Sequence, residues 1–147
     1  MRKERIKSEA TQLVNEYQVR VRFNDCDPLQ VVWHGNYITY FEDGREAFNR
    51  SYGIPYMKMY GEGFATPVVK SYCEHKLFLR YEDVATVKTT FYNTPAAKIH
   101  FKYEVFNQHK ELVCIGETIQ VFTDKEGQLS LNIPDFFKRW KEKYGLE

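Results

Sequence analysis

From Glu16 to Phe23 the chain alternates, with Tyr17, Val19, Val21 and Phe23 on one side and Gln18, Arg20 and Arg22 on the other. A period of two is that of a half-buried strand. A loop from Asn24 to Val32 follows, and then the period lengthens. Tyr37, Tyr40, Phe41, Gly44 and Phe48 recur at the spacing of one helical face, while Asp43, Glu46, Asn49 and Arg50 fall opposite. This predicts an amphipathic helix that begins near His34 or Gly35 and ends near Gly53. Glycine inside a helix costs roughly 1 kcal/mol against alanine, so Gly44 predicts a close neighbour across that face. Pro55 to Gly63 reads as a connection with a helical turn.

The chain from Thr66 to Thr123 reads as strand. Ile99, Phe101, Tyr103 and Val105 alternate with Lys98, His100, Lys102 and Glu104, and Val113, Ile115, Ile119 and Val121 are read as one face of the next run. Glu82-Asp83, Asn93-Thr94-Pro95 and Asn107-Gln108-His109 punctuate it, each short enough for a hairpin. A last helix is expected in "PDFFKRWKEKYG", with Pro134 at its first position. Strand, long helix, four antiparallel strands and a short helix make an α+β arrangement in which one helix covers one face of a sheet.

At 147 residues the chain fits one domain. Its core is expected over about residues 15–125 and its C-terminal helix over about 134–144, with a polar first dozen residues that are frayed or a short surface helix. The net charge of +1 gives no reason to approach a nucleic acid. No apolar run is long enough to span a bilayer, and "MRKERIKSEATQ" has charge with no apolar segment behind it, so no secretory signal is read and a cytoplasmic location is expected. Cys26, Cys73 and Cys114 are odd in number and widely spaced, which fits neither a disulfide framework nor a zinc site. No metal and no cofactor are expected.

The chemistry concentrates in "FNDCDPLQVVWHGNY". A helix that starts at His34 or Gly35 presents unpaired backbone N–H groups and a partial positive charge, able to polarise a carbonyl or hold an oxyanion. Asp27 lies a few residues upstream, on a loop that must turn back into that helix. A carboxylate and a backbone donor facing one carbon are a minimal kit for hydrolysing an activated acyl group. An aspartate ahead of a helix more often caps it, yet Asn24, Asp25 and Asn36 stand ready for that role here. Cys26 is flanked by two carboxylates, which disfavour its thiolate, so it is read as a packing residue. His75, His100 and His109 show no metal-ligand spacing.

These residues resemble the signature of the 4-hydroxybenzoyl-CoA thioesterase family of hot-dog-fold enzymes, and the similarity continues through "ATPVVKSYCEHKLFLRYEDV" to cover roughly Tyr17 to Thr123. The resemblance implies a curved five-stranded antiparallel sheet wrapped around one long helix, and two such units paired with each site at the subunit boundary. It implies that Asp27 is the catalytic nucleophile or general base. His34 would direct its backbone amide at the thioester carbonyl, with Gly35 beside it, and Tyr37 would be a packing or pocket residue. Asp25 becomes a loop residue held by an arginine or a backbone N–H. Family members usually carry glycine where this chain has Gln30, a departure that bears on the loop's backbone angles.

An acyl-CoA thioesterase with water as acceptor is the leading expectation. Hydrolysis of acyl groups from acyl carrier protein and a non-catalytic acyl-binding module are the alternatives. Lys98 is the expected contact for the CoA phosphates, with Lys70 and Lys76 as other candidates. A homodimer or homotetramer is expected, because a single sheet leaves open edges.

Overall fold

The computed structural model describes residues 12–146. Apart from Gln12, the polar N-terminal segment discussed above lies outside them. The strands are β1 (Leu13–Arg20), β2 (Val68–His75), β3 (Val84–Tyr92), β4 (Lys98–Phe106) and β5 (Leu112–Val121), and the helices are α1 (Asn36–Ser51), α2 (Tyr56–Gly61) and α3 (Asp135–Lys143). The strands form one antiparallel sheet in the order β1-β3-β4-β5-β2, the curved sheet around a long helix that the resemblance implies.

The predicted face of α1 is the buried one: Tyr37, Tyr40, Phe41 and Phe48 are all lost to solvent. Phe41 stacks on Tyr103 with ring centroids 4.5 Å apart, and Phe48 meets Phe101 edge-on at 4.9 Å. Full burial of a side chain of this size stabilises by about 1.5–3 kcal/mol. Gly44 has the close neighbour its position predicts, since a β-carbon there would lie 2.6 Å from both Thr89 Oγ1 and Val87 Cγ1. The reverse fit occurs on β5, where a β-carbon on Gly116 would lie 2.2 Å from Phe41 Cε2. The Phe41 ring fills the space of a missing strand side chain.

β1 starts and stops earlier than its alternation suggests. It ends at Arg20, and Phe23 opens a short 3-10 turn, Phe23–Asp25, with its ring exposed against Tyr81. Val21 is buried as expected, but Tyr17 stands on an edge strand at the margin of α1 and is half-exposed. On β5 the face toward α1 is Cys114, Gly116, Thr118 and Gln120, so Ile115, Ile119 and Val121 lie on the opposite side from that buried face, and Val113 is buried where the strand begins. Glu82-Asp83 does not close a hairpin. β2 pairs with β5 and β3 with β1, so residues 76–83 cross between sheet edges, whereas the other two breaks do form hairpins. Pro134 flanks α3 from just outside its first turn.

α3 closes the C-terminal end of α1. Phe137 and Trp140 pack on Phe91, and Trp140 Nε1 donates to the Tyr52 carbonyl at 2.7 Å. The other end of α1 carries the candidate site. Among the described residues no helix is long and apolar enough to cross a membrane.

Candidate active site

The loop before α1 is a tight hairpin. Cys26 and Val32 bridge, the Asp27 N–H donates to Val31 O at 3.0 Å, and the Gln30 N–H returns to Asp27 O at 2.9 Å. Pro28, Leu29 and Gln30 form its three-residue tip. Such tips end in a left-handed residue, usually glycine, and Gln30 has φ +66°. The glutamine therefore adopts the angle that the family's glycine suits, at a cost of about 1–2 kcal/mol. Asp27 is partly buried, and its Oδ1 accepts the Leu29 N–H at 2.9 Å, an Asx turn that shapes the tip.

Asp25 binds this hairpin to the helix. Its buried Oδ2 accepts the Arg22 N–H at 3.0 Å and the Tyr40 hydroxyl at 3.0 Å, with Arg22 Nε 3.6 Å away. Its carbonyl accepts the Trp33 N–H at 2.9 Å and Asn36 Nδ2 at 2.7 Å. The role of loop anchor, held by an arginine and a backbone N–H, is the one expected of it. Tyr40 is the added partner.

The backbone is already helical at Gly35 (φ −67°, ψ −23°), and the Asn36 N–H is taken by Trp33 O at 2.8 Å. Among the described residues the N–H groups of His34 and Gly35 have no acceptor. They stand where the positive end of the helix dipole is strongest. The Trp33 ring lies across Gly35, leaving no room for a β-carbon, which would be 2.2 Å from Trp33 Cζ3. The His34 ring is exposed, 5.0 Å from the Trp33 ring, so its side chain takes no part in the buried scaffold.

Tyr37 is fully buried, and its hydroxyl accepts the Leu79 N–H at 3.1 Å, which docks α1 on the 76–83 crossover. Burial pushes its phenol up to about 12. Burial, then the charges of Asp25 and Asp27, push the Cys26 thiol above its ordinary value, the direction that its flanking carboxylates suggest. His75 touches the Tyr37 ring at 5.1 Å, and His100 pairs with Glu117 at 3.1 Å. Among the described residues no three His, Cys, Asp or Glu side chains form a metal cluster.

The hairpin and α1 thus bring Asp27, His34, Gly35 and Tyr37 to one end of the molecule. Lys98 is not among them. It pairs with Val121, whereas His75, beside Tyr37, pairs with Cys114. Seven residues of β5 separate those points, on the order of 23 Å. Lys76 is paired with Glu74 at 3.2 Å.

A cavity of about 570 Å³ lies on the outer flank of α1, at the opposite end of β2 from Asp27 and lined among others by Glu42, Arg45, Asn49, Met57, Thr66 and Gln120. Gln120 Nε2 donates to Thr66 O at 2.7 Å and reaches Thr66 Oγ1 at 3.3 Å. That fixes its amide, and Oε1 is left buried without a donor among the described residues, as is Asn49 Oδ1. A buried acceptor without a partner costs about 1–3 kcal/mol. The hydrophobic pattern hid these residues, because on β5 the aliphatic side chains mark the outer face. A glutamine and a threonine alternating with isoleucines were the available signal.

The sequence profile of the thioesterase-like superfamily matches residues 21–141. A provisionally named esterase of Aquifex aeolicus is 38% identical over 92 residues, which is 63% of this chain and 72% of that protein. The provisionally named acyl-CoA thioesterase YneP of Bacillus subtilis is 28% identical over 131 residues, 89% of this chain and 95% of its own length. Among solved structures, a DHNA-CoA thioesterase from Staphylococcus aureus superposes with a TM-score of 0.82 at 26% identity, covering 90% of this chain and 89% of that one. The matched region starts just after β1 and runs through the hairpin, the central helix and the other four strands into α3, so the chain belongs to the thioesterase-like superfamily of hot-dog-fold hydrolases.

Proposed function

We propose that this chain is a cytoplasmic acyl-CoA thioesterase, with Asp27 and the His34 and Gly35 amides as its reacting groups. The observation that carries the reading is the pair of unaccepted N–H groups at the head of a buried helix, tied through Asp25 to the hairpin that bears Asp27. A thioester carbonyl oxygen placed at those amides gains stabilisation as it becomes an oxyanion. Asp27 then either takes a proton from water as the water attacks, or attacks the carbonyl itself to form an anhydride that water opens. In both routes the C–S bond breaks, the CoA thiolate takes up a proton, and the free acid leaves. YneP, similar over nearly the whole chain, carries an acyl-CoA thioesterase name.

The free edge of the sheet supports a two-chain site. β2 is an outer strand with Val68, Val69 and Tyr72 exposed, an edge that proteins pair or cover. Antiparallel pairing of two copies of β2 about a two-fold axis sets the His75 end of one strand against the Val68 end of the other. Val68 pairs with Gln120, so the cavity beside Gln120 would face the partner's His34. The cavity is then the acyl side of the site, and Lys98, at the same end of the sheet, is the cation we propose for the CoA phosphates.

The test is steady-state hydrolysis of a panel of acyl-CoAs with detection of free thiol, on the wild type and on Asp27→Asn. Asparagine keeps an oxygen for the Leu29 N–H, so folding should be unchanged within about 0.5 kcal/mol. Turnover should fall by about 10²–10⁴-fold. A folded Asp27→Asn enzyme that turns over at the wild-type rate would sink the assignment of Asp27.

A further inference from the structure

We infer that Cys73 is a covalent modification site that forms a mixed disulfide with small disulfide-bonded thiols, with Cys114 as its hydrogen-bond donor and His75 beside it. The three side chains meet because a fourth is missing. Cys73 on β2 pairs directly with Gly116 on β5, and His75 pairs with Cys114. Gly116 offers no side chain on the inner face, and the Phe41 ring fills its place. The Cys73 thiol packs against the core on that face. Its next neighbour along β5 is the Cys114 thiol, whose S–H it accepts. The Cys73 sulfur also lies 3.9 Å from His75 Nδ1. The hydrolysis proposed above uses none of the three groups.

The two thiols are unequal. Cys114 is wholly buried and Cys73 partly exposed, so a negative charge on the pair resides on Cys73. The hydrogen bond from Cys114 holds the Cys73 thiol below its ordinary value, against the opposing effect of burial. The same bond, and then burial, push the Cys114 thiol up. The thiolate is the attacking species in disulfide exchange. Cys26, the remaining cysteine, is raised by burial and by two carboxylates, which leaves Cys73 as the reactive one. Pairing of β2 with a second copy engages the main chain of the strand, whereas this thiol faces inward.

In the exchange the Cys73 thiolate attacks one sulfur of the small disulfide. A new S–S bond forms, the old one breaks, and the departing thiolate takes a proton from water, so no other oxidant is needed. The reaction stops at the mixed disulfide. Cys114 keeps its proton and is a poor attacking group. It is also diagonal to Cys73 in the ladder, where Cα atoms stand roughly 7–8 Å apart, beyond the usual reach of a disulfide. The attached group stays on Cys73 until an added thiol removes it.

The test treats the full chain with hydroxyethyl disulfide, a small neutral probe, and follows each cysteine by peptide mass spectrometry from neutral to alkaline pH. At neutral pH Cys73 should be modified faster than Cys26 by about tenfold or more, and dithiothreitol should remove the group. The rate at Cys73 should level off at a lower pH than the rate at Cys26. Cys114→Ala removes the S–H donor, so it should slow exchange at Cys73 several-fold and move its pH profile up. Cys114→Ser keeps a donor and should restore the wild-type profile. His75→Ala, at an exposed position, should slow the exchange as well. Modification of Cys26 ahead of Cys73, a Cys73–Cys114 disulfide as the product, or an unchanged Cys73 profile in folded Cys114→Ala or His75→Ala overturns the inference. Should Cys114→Ala fail to fold, the comparison of Cys73 with Cys26 in the wild type still decides. None of these readouts depends on thioester hydrolysis.

Discussion

Tyr40 donates its hydroxyl proton to Asp25 Oδ2 across 3.0 Å, in a bond closed off from solvent between the hairpin and the inner face of α1. A hydrogen bond to a carboxylate in such a place contributes about 1.5–3 kcal/mol. Tyr40→Phe keeps the ring and removes only that bond. Urea unfolding should show a loss in this range, with an unchanged m-value. A loss below about 0.5 kcal/mol would mean that the remaining Arg22 contacts carry Asp25 alone.

Gln30 holds a left-handed backbone at the hairpin tip. Gln30→Gly removes the penalty on the folded side and adds freedom to the unfolded chain, with a net gain of about 0.5–1 kcal/mol. Thermal unfolding should move up by a few degrees with turnover retained. A lower melting temperature would show that the Gln30 side chain itself holds the tip.

The Cys26 thiol is pushed above its ordinary value of 9.0 by burial and by two neighbouring carboxylates. A raised thiol value means less thiolate at neutral pH, and hence slow alkylation. The rate of iodoacetamide labelling at Cys26 should still be climbing at pH 9, where an ordinary thiol is half-ionised. Cys26→Ser should keep substantial activity. An acyl adduct on Cys26, with activity lost in a folded Cys26→Ser, would move the chemistry to the thiol.

Light scattering at micromolar concentration should give a dimer or larger. A lysine on an open strand edge disfavours pairing with a second edge, so Val69→Lys should shift the chain toward monomer and lower turnover in parallel. A wild-type monomer that hydrolyses thioesters at full rate would remove the two-chain site.

Much of the fold could be read from periodicity because α1, β3 and β4 have one wet and one dry face. Tyr37, Tyr40, Phe41 and Phe48 are buried as their spacing requires, and Gly44 does abut β3. Periodicity failed where burial does not follow hydrophobicity. On β5 the inner face carries Thr118 and Gln120, because Gly116 and Thr118 make room for Phe41 and for the Tyr103 hydroxyl, 2.6 Å from Thr118 Oγ1. The crossover of residues 76–83 was equally hidden, since a turn signal such as Glu82-Asp83 does not say which strand the next one will join. Of the candidate site, the hairpin and the helix head could be read locally as structure, since their residues lie within fourteen positions of one another. The cavity is assembled from Asn49, Thr66 and Gln120, and no local pattern connects them.

The ring of Phe41 seated in the gap at Gly116 has a mechanical consequence. It acts as a detent: a helix lying on a smooth strand could slide along it, but one with a ring keyed into a missing side chain can shift only by whole turns, about 5.4 Å at a time. The axial position of α1 is thereby indexed to β5, and β5 also carries β2 through the pairing of Gly116 with Cys73. The two amides at the head of α1 that lack an acceptor among the described residues therefore stand at a set distance from the end of the sheet edge. Their placement is decided in the middle of the molecule, at a contact between an aromatic ring and a strand glycine that touches none of the groups proposed to react.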